Sequence, residues 1–392
     1  MRLIPDGSPF GLDNLPYGVF SVGGGPPRVG VRVGDSVIDL AGALGDEVFA
    51  APSLNPFMAT GPVRWADARA RITGMMAADA VPDGAVHSLG DVELTLPFEV
   101  ADYVDFYASE AHASNLGRLF RPDNPEPLLP NWRHLPVGYH GRAGTVVVSG
   151  TGIVRPAGQR KGPADPAPVF GPSVRLDIEA ELGFVVGVGS PLGAPVTTAD
   201  FADRVFGVVL VNDWSARDLQ AWEYVPLGPH LGKSFATSVS AWVTPLAALA
   251  AARVPLPGQQ PPVLPYLREA AAWGLDIDLA VEWNGEVVSR PPYASMYWSP
   301  AQMLAHLTVN GASTRTGDLF ASGTISGSAK DQRGAFIELT WGGAEPITVK
   351  GEARTFLLDG DTVTITATAP GTAGGRIALG EVTGVIQPAR TA

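Results

Sequence analysis

The sequence predicts a mainly β protein of two parts, and three observations carry that prediction. Its 47 Gly and 36 Pro are spread along 392 residues, so they punctuate short alternating segments and form no low-complexity block. Two pairs of strand-like runs flank turn residues: 29–33 and 37–40 around Gly34-Asp35-Ser36, and 279–283 and 286–290 around Asn284-Gly285. Asn-Gly tolerates the positive φ of a type I′ turn. Helical periodicity is sparse, confined to residues 62–78, 104–120 and 299–307.

At about 150 residues per domain, the length suits two domains. Between residues 90 and 100 the strand-like VELTLPFEV gives way to the polar, aromatic ADYVDFYASEAH, which divides the chain into an N-terminal β module, 1–98, and a main domain, 99–392. Residues 159–168 and 255–265 are rich in turn formers and read as exposed loops.

Composition removes whole classes of function. With 45% hydrophobic and 17% charged residues, the chain can bury a sizeable core. A net charge of −12 repels phosphate backbones, so nucleic acid is not an expected partner. The absence of cysteine eliminates disulfides, thiolate nucleophiles and sulfur-ligated zinc, and suits a reducing compartment. The strongest apolar runs, such as VFGVVLV, are much shorter than a membrane span, and the amino terminus meets Pro and Gly before an apolar signal core can form. A soluble cytoplasmic protein with no membrane partner is expected.

Residues 174–182 alternate strictly, so a strand there places Arg175, Asp177, Glu179 and Glu181 on one face. A solvated sheet face carries the same pattern. The nearly continuous apolar run 205–211 reads as a strand buried on both faces, and it ends in Asn212-Asp213-Trp214-Ser215. Ser215 and Asp218 resemble a capping box; on the helix it would start, Arg217, Gln220 and Tyr224 share a polar face beside Asp213. If residues 102–112 are helical, Asp105 and His112 lie about 10 Å apart. They could not easily ligate one ion, which suggests a metal ligand and a base across a substrate. Four carboxylates drawn together (Asp105, Glu179, Glu181 and Asp213) would repel, and a hard dication with oxygen ligands relieves that repulsion: calcium, magnesium or manganese. Spacing alone does not establish that these segments converge.

The motifs DYVDFYASEAHASN, LPNWRHLPVGYHGRAGTVVVSG, LDIEAELGFVVG, VLVNDWSARDLQAWEYVPLGPHLGKSF and SGTISG together resemble the fumarylacetoacetate hydrolase family, over roughly residues 10 to 390. The resemblance implies a small N-terminal SH3-like barrel, a C-terminal mixed β-sandwich roll, a homodimer, and hydrolysis of a carbon–carbon bond in 4-fumarylacetoacetate. It implies calcium-type ligation by Asp105, Glu179, Glu181 and Asp213, and a magnesium-type ion near Asp213, Lys233 and Thr237. It also implies His112 as base oriented by Glu338, Arg217, Gln220 and Lys233 around an oxyanion, and Tyr107, Arg121, Tyr139, Gln220, Tyr224 and Thr324 against substrate. The sequence departs from the family pattern at Val104, at His230, which reads as a pocket neighbour, and over residues 328–335 before Glu338. Two rival readings are a hydrolase of an acylpyruvate or another 1,3-diketo acid, and a non-catalytic calcium-stabilised β protein. Tyr107, Arg121, Tyr139, Tyr224 and the N-terminal module favour the fumaryl substrate over the first. The second leaves His112 and Lys233 without a role.

Overall fold

A run of branched apolar residues flanked by polar ones forms a strand that must be covered on both sides. In the computed structural model, which describes residues 4, 5, 7–162 and 164–390, Val205–Asp213 is such a strand, buried along its whole length. It lies within a thirteen-stranded mixed sheet. Ala180–Val186 pairs with it antiparallel on one side, and Thr237–Val239 and Trp242–Pro245 on the other. Beyond Ala180–Val186 come Leu319–Ala321, then Tyr103–Phe106 parallel to it, then Gly138–His140.

The register of this sheet assembles the polar centre. Tyr139 lies opposite Asp105, Asp105 opposite Ala321, Ala321 opposite Gly183, and Gly183 opposite Val209. Glu181 and Asp213 are at even spacing from Gly183 and Val209, and Asp213 lies opposite Thr237. Because side chains alternate along a strand and align across a ladder, Tyr139, Asp105, Glu181, Asp213 and Thr237 all emerge on one face.

The N-terminal strands run in the order Val86–Ser88, Ser36–Asp39, Arg28–Val33, Tyr17–Val22 and Val92–Thr95. The turn Leu89–Asp91 joins the two edges, so this sheet curls back on itself. No ladder closes it into a barrel among the described residues, and Tyr17–Val22 also pairs with Trp242–Pro245, making it continuous with the main sheet. A second sheet of five strands contains the Asp278–Trp283 and Glu286–Ser289 hairpin. Its turn has the expected positive φ at Asn284 and Gly285, 54° and 79°.

Helices Pro62–Ala77 and Pro300–Thr308 form as expected, the second capped by Ser299. The third does not run over 104–120: residues Tyr103–Phe106 are a strand, and the helix is Glu110–Phe120, capped by the Ser109 hydroxyl. Pairing with Leu319–Ala321 overrides the local pattern there. The strand over 174–182 is likewise interrupted, with Leu176–Asp177 turning to pair with Ser215–Ala216 before Ala180–Val186 begins. Ser215 and Asp218 form no capping box, because Ser215 Oγ donates to the Asp213 carbonyl and Asp218 accepts from Ser173 and Val174. Part of the loop expected at 159–168 belongs to a hairpin between Ala157–Arg160 and Val169–Pro172; Pro163 lies outside the described residues. Among the described residues no helix is long and apolar enough to cross a membrane.

Candidate active site

The four carboxylates converge. Asp105, Glu179, Glu181 and Asp213 are all buried and each offers an oxygen within 4.8 Å of the others. Asp213 Oδ2 accepts from Tyr139 at 3.0 Å and from Lys233 Nζ at 2.7 Å, and its Oδ1 accepts from Thr237 at 3.1 Å. Lys233 also bridges to Glu179, whose other oxygen lies 2.8 Å from Arg217 Nη1.

Charge is unevenly distributed over the cluster. Burial opposes ionisation of Glu179, but Lys233, Arg217 and His112 outweigh it and hold this carboxyl well below the ordinary range. Burial and then the neighbouring carboxylates push Asp105 and Glu181 well above that range. Both Glu181 oxygens and Asp105 Oδ1 are buried with no hydrogen-bond donor. Orphaned, desolvated oxygens in an all-oxygen set fit a hard dication.

His112 stands beside this cluster. It is buried on the helix Glu110–Phe120, with Nδ1 2.6 Å from Glu338 Oε2. Glu338 also accepts from Asn115 Nδ2 and Ser326 Oγ, both at 2.9 Å. Burial works against the Glu338 carboxylate, but His112 and these two donors keep its pKa lowered. An ionised carboxylate can only accept, so Nδ1 donates to Glu338, and Nε2 is the ring nitrogen that faces the cluster, 3.9 Å from Glu179. The Tyr107 ring packs perpendicular to the imidazole, with centroids 5.3 Å apart at 85°.

Arg217 Nη1 also donates to Gln220 Oε1 at 3.1 Å, while Arg217 Nη2, Arg121 Nε and the Thr324 hydroxyl are buried without partners. Arg121 and Tyr224 sit further out. Arg121 anchors on the Pro127 carbonyl at 3.0 Å, which approaches the helix where a Cβ on Gly117 would meet it at 2.0 Å. Tyr224 packs on Phe120 with centroids 6.3 Å apart. His230 lines a cavity of about 210 Å³ together with Tyr103, Tyr139, Lys233 and Thr237. Glu338 lies against His112 although residues 328–335 depart from the pattern.

Sequence reasoning missed the residues that hold this machinery. Asn115 follows His112 by three positions on one helix, a spacing that points both side chains the same way. Ser326 carries no such signal, because its hydrogen bond to Glu338 spans 12 residues and follows no helix or strand period.

The comparisons with known proteins agree over the whole chain. The family model for the fumarylacetoacetate (FAA) hydrolase C-terminal domain matches residues 102–381, and that for the fumarylacetoacetase N-terminal domain matches 13–97. The chain is 45% identical to a fumarylacetoacetase of Rattus norvegicus over 99% of each chain, and 42% identical to one of Arabidopsis thaliana over 97% of this chain and 96% of that one. In fold it resembles a fumarylacetoacetate hydrolase of Exiguobacterium antarcticum, with a TM-score of 0.60 at 16% identity over 96% and 100% of the two chains. It also resembles a maleylpyruvate hydrolase of Sphingobium, with a TM-score of 0.54 at 15% identity over 95% and 100%.

Proposed function

The chain belongs to the fumarylacetoacetate hydrolase family, and from that premise we propose that it hydrolyses the carbon–carbon bond of 4-fumarylacetoacetate, giving fumarate and acetoacetate in tyrosine and phenylalanine breakdown. The observation that carries this reading is the His112–Glu338 pair, which engages Nδ1 and turns Nε2 towards a buried carboxylate cluster. Asp105, Glu179, Glu181 and Asp213 would hold a calcium- or magnesium-type ion, with manganese in the same ligand class. Asp213, Lys233 and Thr237 would serve a second. Such an ion supplies polarisation of a 1,3-dicarbonyl and stabilisation of the leaving enolate.

The chain's own residues account for the rest. His112 Nε2 takes a proton from water, and Glu338 fixes the tautomer and stabilises the imidazolium that results. Arg217, Gln220 and Lys233 place donors where negative charge develops on the attacked carbonyl oxygen, a contribution of about 3 to 4 kcal/mol per donor in other hydrolases. Tyr107, Tyr139, Tyr224 and Thr324 shape the substrate pocket. Arg121 pairs with a substrate carboxylate through two N–H groups, which lysine could not reproduce. Arg121→Lys is therefore expected to raise KM about tenfold with kcat changed less than about threefold. A KM left unchanged would remove Arg121 from the substrate contacts.

The division at 98/99, a cytoplasmic location and a homodimer belong to the same reading. Trp222, Val225 and Leu227, exposed at 42, 66 and 94%, fall in one short segment of the chain, which a second copy could cover. Sedimentation at the mass of one chain would end the dimer proposal. The activity itself is tested by following the ultraviolet absorption of fumarylacetoacetate with and without chelator, against a simple acylpyruvate. Rapid, chelator-sensitive loss of fumarylacetoacetate is expected. Preference for the acylpyruvate would transfer the chain to its nearest rival function, and no turnover of either would leave the non-catalytic reading.

A further inference from the structure

We propose that Asp177 is a positioning residue for this reaction, a buried carboxylate that fixes Arg217 and the Glu338 turn against each other. The inference rests on the function proposed above and deepens it. Asp177 is fully buried at the end of Leu176–Asp177. Its Oδ2 accepts from Arg217 Nε at 2.7 Å and from the Ile337 amide at 3.1 Å. Its Oδ1 accepts from the Phe336 amide at 2.7 Å and the Ile178 amide at 2.8 Å.

These four bonds fill the acceptor capacity of a carboxylate, which fixes its orientation as well as its charge. Two of the donors are the leading amides of the helical turn Phe336–Leu339, whose third residue is Glu338. The Trp283 ring stacks on Phe336 with centroids 4.3 Å apart and planes 11° apart, a second hold on the turn. Asp177 takes the Nε edge of Arg217, so the guanidinium cannot rotate away from Glu179 and Gln220. A continuous chain of contacts thus runs from Arg217 through Asp177 and the Phe336–Leu339 turn to Glu338 and His112. It sets the spacing between the donor of the oxyanion side and the base. A carboxylate needed only to cap a turn would have no use for the arginine.

The test is a kinetic cycle on the full-length protein with Asp177→Asn, Arg217→Lys and the double variant. Asparagine keeps the shape but sets an NH2 group against the two donors that one oxygen of Asp177 serves. Asp177→Asn is expected to lower kcat ten- to a hundredfold with KM within about twofold. In the Arg217→Lys background the same change should cost clearly less than in the wild type, because the Arg217 side of the geometry it protects is already lost. Fully multiplicative effects, or an unchanged kcat in Asp177→Asn beside an active wild type, would overturn the role of Asp177 and leave the function standing. A wild type without turnover would overturn both. If Asp177→Asn lacks native near-ultraviolet circular dichroism, Asp177→Glu takes its place; failure of both to fold would make Asp177 a folding residue and overturn the proposal.

Discussion

His112→Ala is expected to lower kcat by about three to four orders of magnitude, the upper range for loss of a positioned general base, while divalent-ion binding is retained. The four carboxylates that would hold the ion come from the strand ladder and the bend before it, and His112 belongs to a separate helix. The imidazole approaches the cluster at 3.9 Å, between Nε2 and Glu179. The substitution also has a stability cost, because Glu338 would remain fully buried with Asn115 and Ser326 as its side-chain donors. Breaking a buried pair on one side costs about 3 to 5 kcal/mol, so native circular dichroism must be verified at the assay temperature. His112→Asn, which can still donate towards Glu338, should recover stability and not rate. Turnover near wild type in a folded His112→Ala protein would refute the assigned base.

The sequence disclosed those parts of the site whose cause is local. Residues 205–213 were legible because an apolar run ending in Asn-Asp has few other structural solutions, and the Asn284-Gly285 hairpin because its turn demands positive φ. Asp105 was misplaced on a helix because Tyr103–Phe106 becomes a strand only through pairing with Leu319–Ala321, more than two hundred residues away. The bend at Ile178–Glu179 was hidden for the same reason: Asp177 takes three of its four bonds from Arg217, Phe336 and Ile337. Period-two reading did place Glu179 and Glu181 on one side, but a ladder register was needed to bring Asp105 and Asp213 to that side. The family resemblance supplied the convergence that spacing could not, and the register gives its physical basis.

Two substitutions in the carboxylate cluster should have the same effect on activity and opposite effects on the ion-free fold. Asp213→Ala removes an acceptor that serves Lys233, Tyr139 and Thr237, so it should destabilise the ion-free protein and abolish both ion binding and turnover. Glu181→Gln removes a carboxyl whose two oxygens have no donor. Leaving such a group buried costs about 1 to 3 kcal/mol, so the ion-free variant should melt above the ion-free wild type. The folded Glu181 carboxyl holds its proton to higher pH than it would in the unfolded chain. Its cost therefore increases as pH rises through and beyond the carboxylate range, and the gain from Glu181→Gln should be larger at pH 8 than at pH 5. For the wild type, an ion at a hundred times its dissociation constant should stabilise the fold by about 2.7 kcal/mol, a shift that both variants lose. Thermal melts with and without calcium or magnesium, together with metal analysis, decide the matter. Unchanged ion content in Asp213→Ala would remove it from the ligand set, and an ion-dependent shift surviving in Glu181→Gln would mean that those orphaned oxygens serve something other than a cation.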